Sequence, residues 1–148
     1  MPADIETSII INSSIEQVKK TFLDFNSYSN WSIFLKSIKS KESNQSFEPG
    51  SQLEVELESK PGSITKMNPI VLVNTTNEFK WVGKLPLNLF EGSHKFEFNE
   101  IDSNKTEVIQ TEEFSGLLKS PILWLVGEST IAGFKNFNEA LKKQCESS

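Results

Sequence analysis

The stretch beyond Gly116 constrains the fold most. Ser120-Pro121 sets an N-cap residue before a proline at the first helical position, and helical spacing then persists to about Cys145. Roughly 25 residues at 1.5 Å each make a rod of ~37 Å. A strand of about eleven residues at 3.3 Å each is nearly the same length. One long helix lying along a curved antiparallel sheet satisfies both lengths.

The rest of the chain supplies that sheet. Ile5, Thr7, Ile9 and Ile11 alternate with polar residues, as in a half-buried strand. Ser13 and Ser14 stand at capping-box spacing before Glu16 and Gln17, and Ile15, Val18, Phe22 and Phe25 share one helical face. Residues 26–50 read as a turn, a second strand and a loop closed by Pro49-Gly50. Leu53, Val55 and Leu57 then alternate with Glu54, Glu56 and Glu58, so one sheet face is wet. After a turn at Lys60-Pro61-Gly62, a strand is expected from Ile64 to Val73, with Pro69 marking an edge or a bulge. Phe79, Trp81 and Gly83 share a face of the next strand. His94, Phe96 and Phe98 follow on another, and Thr106 to Phe114 form the last. The expected order is strand, helix, six strands, helix: an α+β, seven-stranded antiparallel sheet on a long C-terminal helix.

Composition narrows the function. The 148 residues, 36% hydrophobic and 24% charged, suit one domain over 1–148 rather than a membrane bundle or a disordered segment. A net charge of -5 disfavours nucleic acid. All 15 basic residues are lysine, so no guanidinium fork exists for bidentate recognition of phosphate or carboxylate. With one histidine and one cysteine there is no multi-histidine metal site, no zinc–thiolate cluster and no internal disulfide; no metal or other cofactor is expected. The acidic start, Asp4 and Glu6, lacks the basic-then-apolar pattern of a secretory signal, so a cytoplasmic location is expected.

The opening strand before Ser14-Ile15-Glu16-Gln17-Val18, then Phe25, Tyr28 and Trp31-Ser32-Ile33-Phe34, Trp81-Val82-Gly83, Leu89-Phe90-Glu91-Gly92-Ser93-His94-Lys95-Phe96, Thr106 to Leu117, and Phe137-Asn138-Glu139-Ala140-Leu141-Lys142 follow a known order. In these segments the chain resembles the polyketide cyclase/dehydrase and lipid transport branch of the SRPBCC (START-like) superfamily. The resemblance implies a helix-grip fold, with short helices after strand 1 and an apolar cavity between sheet and helix. Trp31-Ser32-Ile33-Phe34 replaces the family's usual Trp-Asn-Pro-Phe. The missing arginines argue against an acidic ligand held by a cationic fork.

The residues that could carry chemistry lie on the last two strands. If apolar parity sets the register and Asp102-Ser103-Asn104 form the loop, His94 falls opposite Glu112 and Phe96 opposite Gln110. Three polar side chains then point into an aromatic wall. Glu112 and His94 are candidates for acid or base chemistry, although the three polar groups could simply satisfy one another. On the long helix Ile122, Val126, Ser129, Gly133, Phe137 and Ala140 form a stripe with small residues at its centre and larger ones toward its ends. This either leaves space or lets the helix pack closely. The expected ligand-binding set is Val55, Leu57, Trp81, His94, Phe96, Phe98, Gln110, Glu112, Phe114, Val126, Ser129, Gly133 and Phe137.

Leu85, Leu87 and Leu89 crowd a surface loop. They act either as an entrance that touches a membrane transiently or as a plug under the sheet. The expected function is binding, with transport as an extension, of a small hydrophobic molecule such as a lipid or polycyclic metabolite, with no obligate protein partner. Two alternatives stay open: a polyketide cyclase or dehydratase using Glu112 and His94, and a co-chaperone-like interaction domain.

Overall fold

The computed structural model describes residues 3–147; Met1 and Pro2, which open the acidic start, lie outside them. Strand β1 (Ile5–Ile11) leads into α1 (Ile15–Leu23), whose first turn is closed by the Ser14 hydroxyl accepting from the Gln17 N–H at 3.2 Å. A 3-10 turn (Phe25–Ser27) and the short α2 (Tyr28–Trp31) follow. Then come β2 (Leu35–Ser40), β3 (Leu53–Lys60), β4 (Ser63–Met67), β5 (Ile70–Asn74), β6 (Glu78–Leu85), β7 (Phe90–Asp102), β8 (Lys105–Ser115) and α3 (Lys119–Glu146). The strands form a five-stranded sheet in the order β1-β8-β7-β6-β5 and a three-stranded sheet in the order β2-β3-β4, all antiparallel. Against them lies α3, 28 residues or about 42 Å long.

The expected count of seven strands is corrected to eight, because the strand expected over 64–73 is cut at Pro69. Proline has no N–H to give to a ladder, so β4 and β5 leave it in different sheets. The break is also a corner. The Pro69 carbonyl accepts from the Leu53 N–H at 2.9 Å, and Gln52 bridges Ile70.

The start of α3 is the second correction. The helix begins at Lys119 with Leu118 as its cap, not at Ser120, and no side chain caps it. Its entry is held by the β6–β7 turn instead: the Asn88 and Leu89 carbonyls accept from the Leu117 and Leu118 N–H groups at 3.2 and 2.8 Å. Gly116, at φ +104°, allows that approach; a Cβ there would lie 2.8 Å from the Leu89 carbonyl.

The centre of the molecule is solid and aromatic. Phe22 of α1 meets Phe79, Phe96 and Phe98 of the sheet with ring centroids 4.7–5.5 Å apart, and Phe137 of α3 at 6.5 Å. Trp81, Val55, Leu141 and Tyr28 close around them. The stripe of small residues on α3 does not make a hollow at Gly133. The ring of Phe34, whose φ is 75°, occupies that notch, and a Cβ on Gly133 would fall 2.2 Å from Phe34 Cδ1. Alanine at an ordinary helix position stabilises by about 1 kcal/mol over glycine; here the sign should reverse. Gly133→Ala is expected to destabilise by about 1–3 kcal/mol through overpacking. In urea unfolding, Phe34→Ala should remove most of that penalty in the double variant.

Candidate functional site

Polar side chains gather where β7 and β8 leave the aromatic centre. The ladder pairs His94 with Glu112 and Phe96 with Gln110, the register expected from parity. Proceeding outward along β7, the inward positions pass from Phe98 and Phe96, fully buried, to His94 and then Gly92. Gly92 lies opposite Gly83 on β6, so two neighbouring positions of the sheet carry no side chain. A Cβ at Gly92 would sit 2.9 Å from Glu112 Oε1 and 3.3 Å from Phe114 Cδ1. The missing atom makes room for the carboxyl group.

There a pocket of about 310 Å³ opens between the two sheets and the first half of α3. Leu57, Ser59, Thr65 and Met67 of β3 and β4 form one wall. Phe90, His94, Glu112 and Phe114 form the second, and Ile122, Val126, Ser129, Thr130 and Phe134 of α3 form the third, with Phe34 at the wedge. An adjoining outer groove of about 620 Å³ shares Thr65, Met67, Phe90, Glu112 and Ile122 with it. Glu112 therefore stands where groove and pocket meet.

The imidazole of His94 is stacked between Phe96 and Phe134, each with its ring centroid 4.6 Å away, and Trp81 meets it edge-on at 5.2 Å. Desolvation by these rings pushes the pKa down to about 4, against a smaller upward pull from the Gln110 hydrogen bond. The Glu112 side chain is 13% exposed, and burial raises its pKa to about 8. His94 Nδ1 and Glu112 Oε2 are 3.6 Å apart. Near pH 7 this is not an ion pair, because the ring is neutral and most of the carboxyl is protonated. Oε2 is buried without a hydrogen-bond partner at normal distance.

Of the expected binding residues, Leu57, His94, Glu112, Phe114, Val126 and Ser129 line the pocket. Val55, Trp81, Phe96, Phe98, Gln110, Gly133 and Phe137 do not; they lie in the packed interior, with Gly133 filled by Phe34. Strand parity tells which side of the sheet a residue faces, but not how far along the strand the packing stops. Phe34, Ser59, Thr65, Met67, Phe90, Ile122, Thr130 and Phe134 join the lining from outside that set. Their signal was the glycine pair: a two-residue turn at Leu87-Asn88 places Gly83 opposite Gly92 and marks that end of the sheet as bare. The turn itself has both central residues at positive φ, 62° and 56°, with the Leu89 N–H donating to the Pro86 carbonyl. Leu87 is 86% exposed, so it plugs nothing; Leu85 and Phe90 border the groove.

The architecture is that of a START-like helix-grip protein. The family model described as "Polyketide cyclase / dehydrase and lipid transport" matches residues 2–146, and the chain belongs to that family. Among solved structures, an aromatase/cyclase from Streptomyces sp. R1128 superposes with a TM-score of 0.69 at 11% identity, covering 96% of this chain and 92% of that one. A START superfamily protein from Mycobacterium smegmatis gives 0.68 at 15% identity, covering 97% of each chain. A hypothetical protein from Helicobacter pylori gives 0.72 at 12%, covering 95% and 86%. At such identities these likenesses show the fold. No curated protein sequence matches the chain. Among the described residues, no helix is long and apolar enough to cross a membrane.

The pKa shifts set a pH dependence. Between pH 6.5 and 8 the native state keeps a proton on Glu112 that the unfolded chain, with an ordinary value of 4.5, has lost, while His94 is neutral in both states. Stability therefore falls as pH rises through that window, by up to about 2 kcal/mol at roughly 1.4 kcal/mol per pH unit. Between pH 4.5 and 6.5 the unfolded histidine binds a proton that the native ring refuses, and the two slopes offset each other. Urea unfolding at pH 6.5 and 8 should show the loss in the wild type and not in Glu112→Gln. An equal loss in the variant would remove Glu112 as its source.

Proposed function

We propose that the protein binds a small, largely apolar molecule, such as a lipid or polycyclic metabolite, in the pocket of about 310 Å³, and that Glu112 receives the ligand's one polar group. The observation that carries this reading is the conjunction of an apolar hollow with a largely buried carboxyl on its wall whose pKa is raised by burial. Roughly 300 Å² of apolar ligand surface at about 25 cal/mol per Å² supplies ~7 kcal/mol before the costs of ordering. A Kd of roughly ten micromolar or weaker is the matching scale. The family's lipid-transport description and the aromatase/cyclase neighbours support a guest of this kind. The reading keeps the cytoplasmic location expected from the sequence.

Exchange with a membrane would use the apolar edge beside the groove. Leu85 and Leu87 project from a turn hydrogen-bonded to Leu117 and Leu118, and Leu117, Trp124 and Leu125 are exposed on the same entry to α3, Trp124 at 86%. Leu89, named with them in the sequence, is only partly exposed.

A second reading, proton transfer in a cyclase- or dehydratase-type reaction, is favoured by the protonated carboxyl at the pocket wall with a neutral imidazole behind it. In that case Glu112→Gln and His94→Ala would abolish turnover of an enolisable polyketone while leaving binding in place.

Titration with N-phenyl-1-naphthylamine should give saturable, micromolar fluorescence enhancement. Ser129→Phe, which fills the pocket from α3, should weaken it at least tenfold with an unchanged circular-dichroism spectrum. No enhancement in the wild type, or full binding in the filled variant, would overturn the pocket as the binding site. Leu87→Glu with Trp124→Glu should slow transfer of the dye to phosphatidylcholine vesicles several-fold without changing its affinity.

A further inference from the structure

The polar groups behind Glu112 form a chain with one direction. Phe134 offers a main-chain carbonyl, which can only accept, and the Gln110 side-chain amide nitrogen lies 3.3 Å from it. The same nitrogen lies 2.8 Å from Asn138 Oδ1, and the Asn138 amide nitrogen donates onward to Thr7 Oγ1 at 2.9 Å. Both Gln110 protons are thereby committed, so Gln110 Oε1 must be the atom 2.8 Å from His94 Nε2. An oxygen there demands a proton on Nε2. The neutral ring then carries its lone pair on Nδ1, the atom that faces Glu112 Oε2 at 3.6 Å.

A carboxylate facing that lone pair would be repelled; a carboxylic acid can give it a proton to share. Phe96 and Phe134 cover both faces of the imidazole and resist the alternative, a charged ring. Among the described residues no cation pairs with the carboxyl. Lys84, which borders the outer groove, pairs with Glu91 at 3.4 Å. Lys119 pairs with Asp4 at 3.1 Å. Lys66, on β4, also borders the outer groove but is exposed, lies opposite Glu56 and makes no ion pair with Glu112. Glu113, next to Glu112 on β8, points to the opposite, exposed face.

We propose that this end of the pocket selects uncharged hydrogen-bond donors: Gln110 and Asn138 fix the His94 tautomer, His94 holds the acid proton of Glu112 on Oε2, and the remaining carboxyl oxygen accepts from a ligand hydroxyl while rejecting a carboxylate. The inference rests on the binding reading above and sharpens its substrate class. The guest is a neutral alcohol or phenol with an apolar body, not a fatty acid or an acidic aromatic. Gln110 and Asn138 are positioning residues, since neither lines the pocket.

Two measurements test it. His94 is the only histidine, so 15N-histidine labelling reports its ring without ambiguity. At pH 7 the spectrum should show a protonated Nε2 and a bare Nδ1, with the ring charging only near pH 4. An Nδ1–H tautomer or an imidazolium at pH 7 would overturn the proposal. In parallel, 1-pyrenebutanol should bind at least tenfold more tightly than 1-pyrenebutyrate at pH 7, and Gln110→Leu should shrink that preference and mix the tautomers. Equal binding of the two probes to the wild type would overturn the selectivity and leave the pocket reading intact. Binding of neither would overturn both. The wild-type spectrum and the wild-type probe ratio decide the matter even if the Gln110 variant fails to fold.

Discussion

The seating of the Phe34 ring on the bare backbone of Gly133 governs how the molecule is divided. On the C-terminal side of that contact α3 lies flush on an aromatic sheet face, with Phe137 and Leu141 fully buried. On the N-terminal side Val126 and Ser129 look across a gap at Leu57, Glu112 and Phe114. One residue in a left-handed backbone conformation thus sets the boundary between a close-packed core and a hollow. Such a conformation costs of order 1 kcal/mol for a non-glycine residue, and the depth of burial of Phe34 offsets it.

Much of this was legible in the sequence, for identifiable reasons. Period-2 alternation on both strands and a short loop at Asp102-Ser103-Asn104 determine which residues pair, so the meeting of His94 with Glu112 could be read directly. Register is a counting problem, and the hydrophobic pattern solves it. The extent of the hollow is a packing problem. Nothing local in Gly133 tells whether its missing side chain is replaced by space or by a ring from residue 34, a hundred positions away. The cut at Pro69 and the early start of α3 failed to show for a related reason. Each depends on which distant carbonyl or N–H is satisfied, and the Asn88 and Leu89 carbonyls take the place a Ser120 cap was expected to fill.

The chemistry of the site follows from scarcity. A chain with no arginine and one histidine cannot build a cationic cradle, and here the histidine is placed where it cannot easily become a cation. Polarity is delivered instead through neutral amides and a neutral acid, passed from β1 through α3 to β8 and β7 by hydrogen bonds that all point the same way. Membership of a family whose description spans cyclisation and lipid carriage fits a pocket of this type. In such a pocket the scaffold stays fixed and a few polar atoms decide the use.

The proline corner also shapes the pocket. β3 and β4 belong to a small sheet that meets the large one around residues 50–53 and 69–71; its inner residues Leu35, Ile38, Leu53 and Val55 are anchored in the core, and its outer end carries Leu57 and Met67 to the pocket wall. None of its strands is hydrogen-bonded into the β7–β8 ladder that holds the His94–Glu112 pair. Much of the pocket's width is therefore set by one sheet and its polar contact by another.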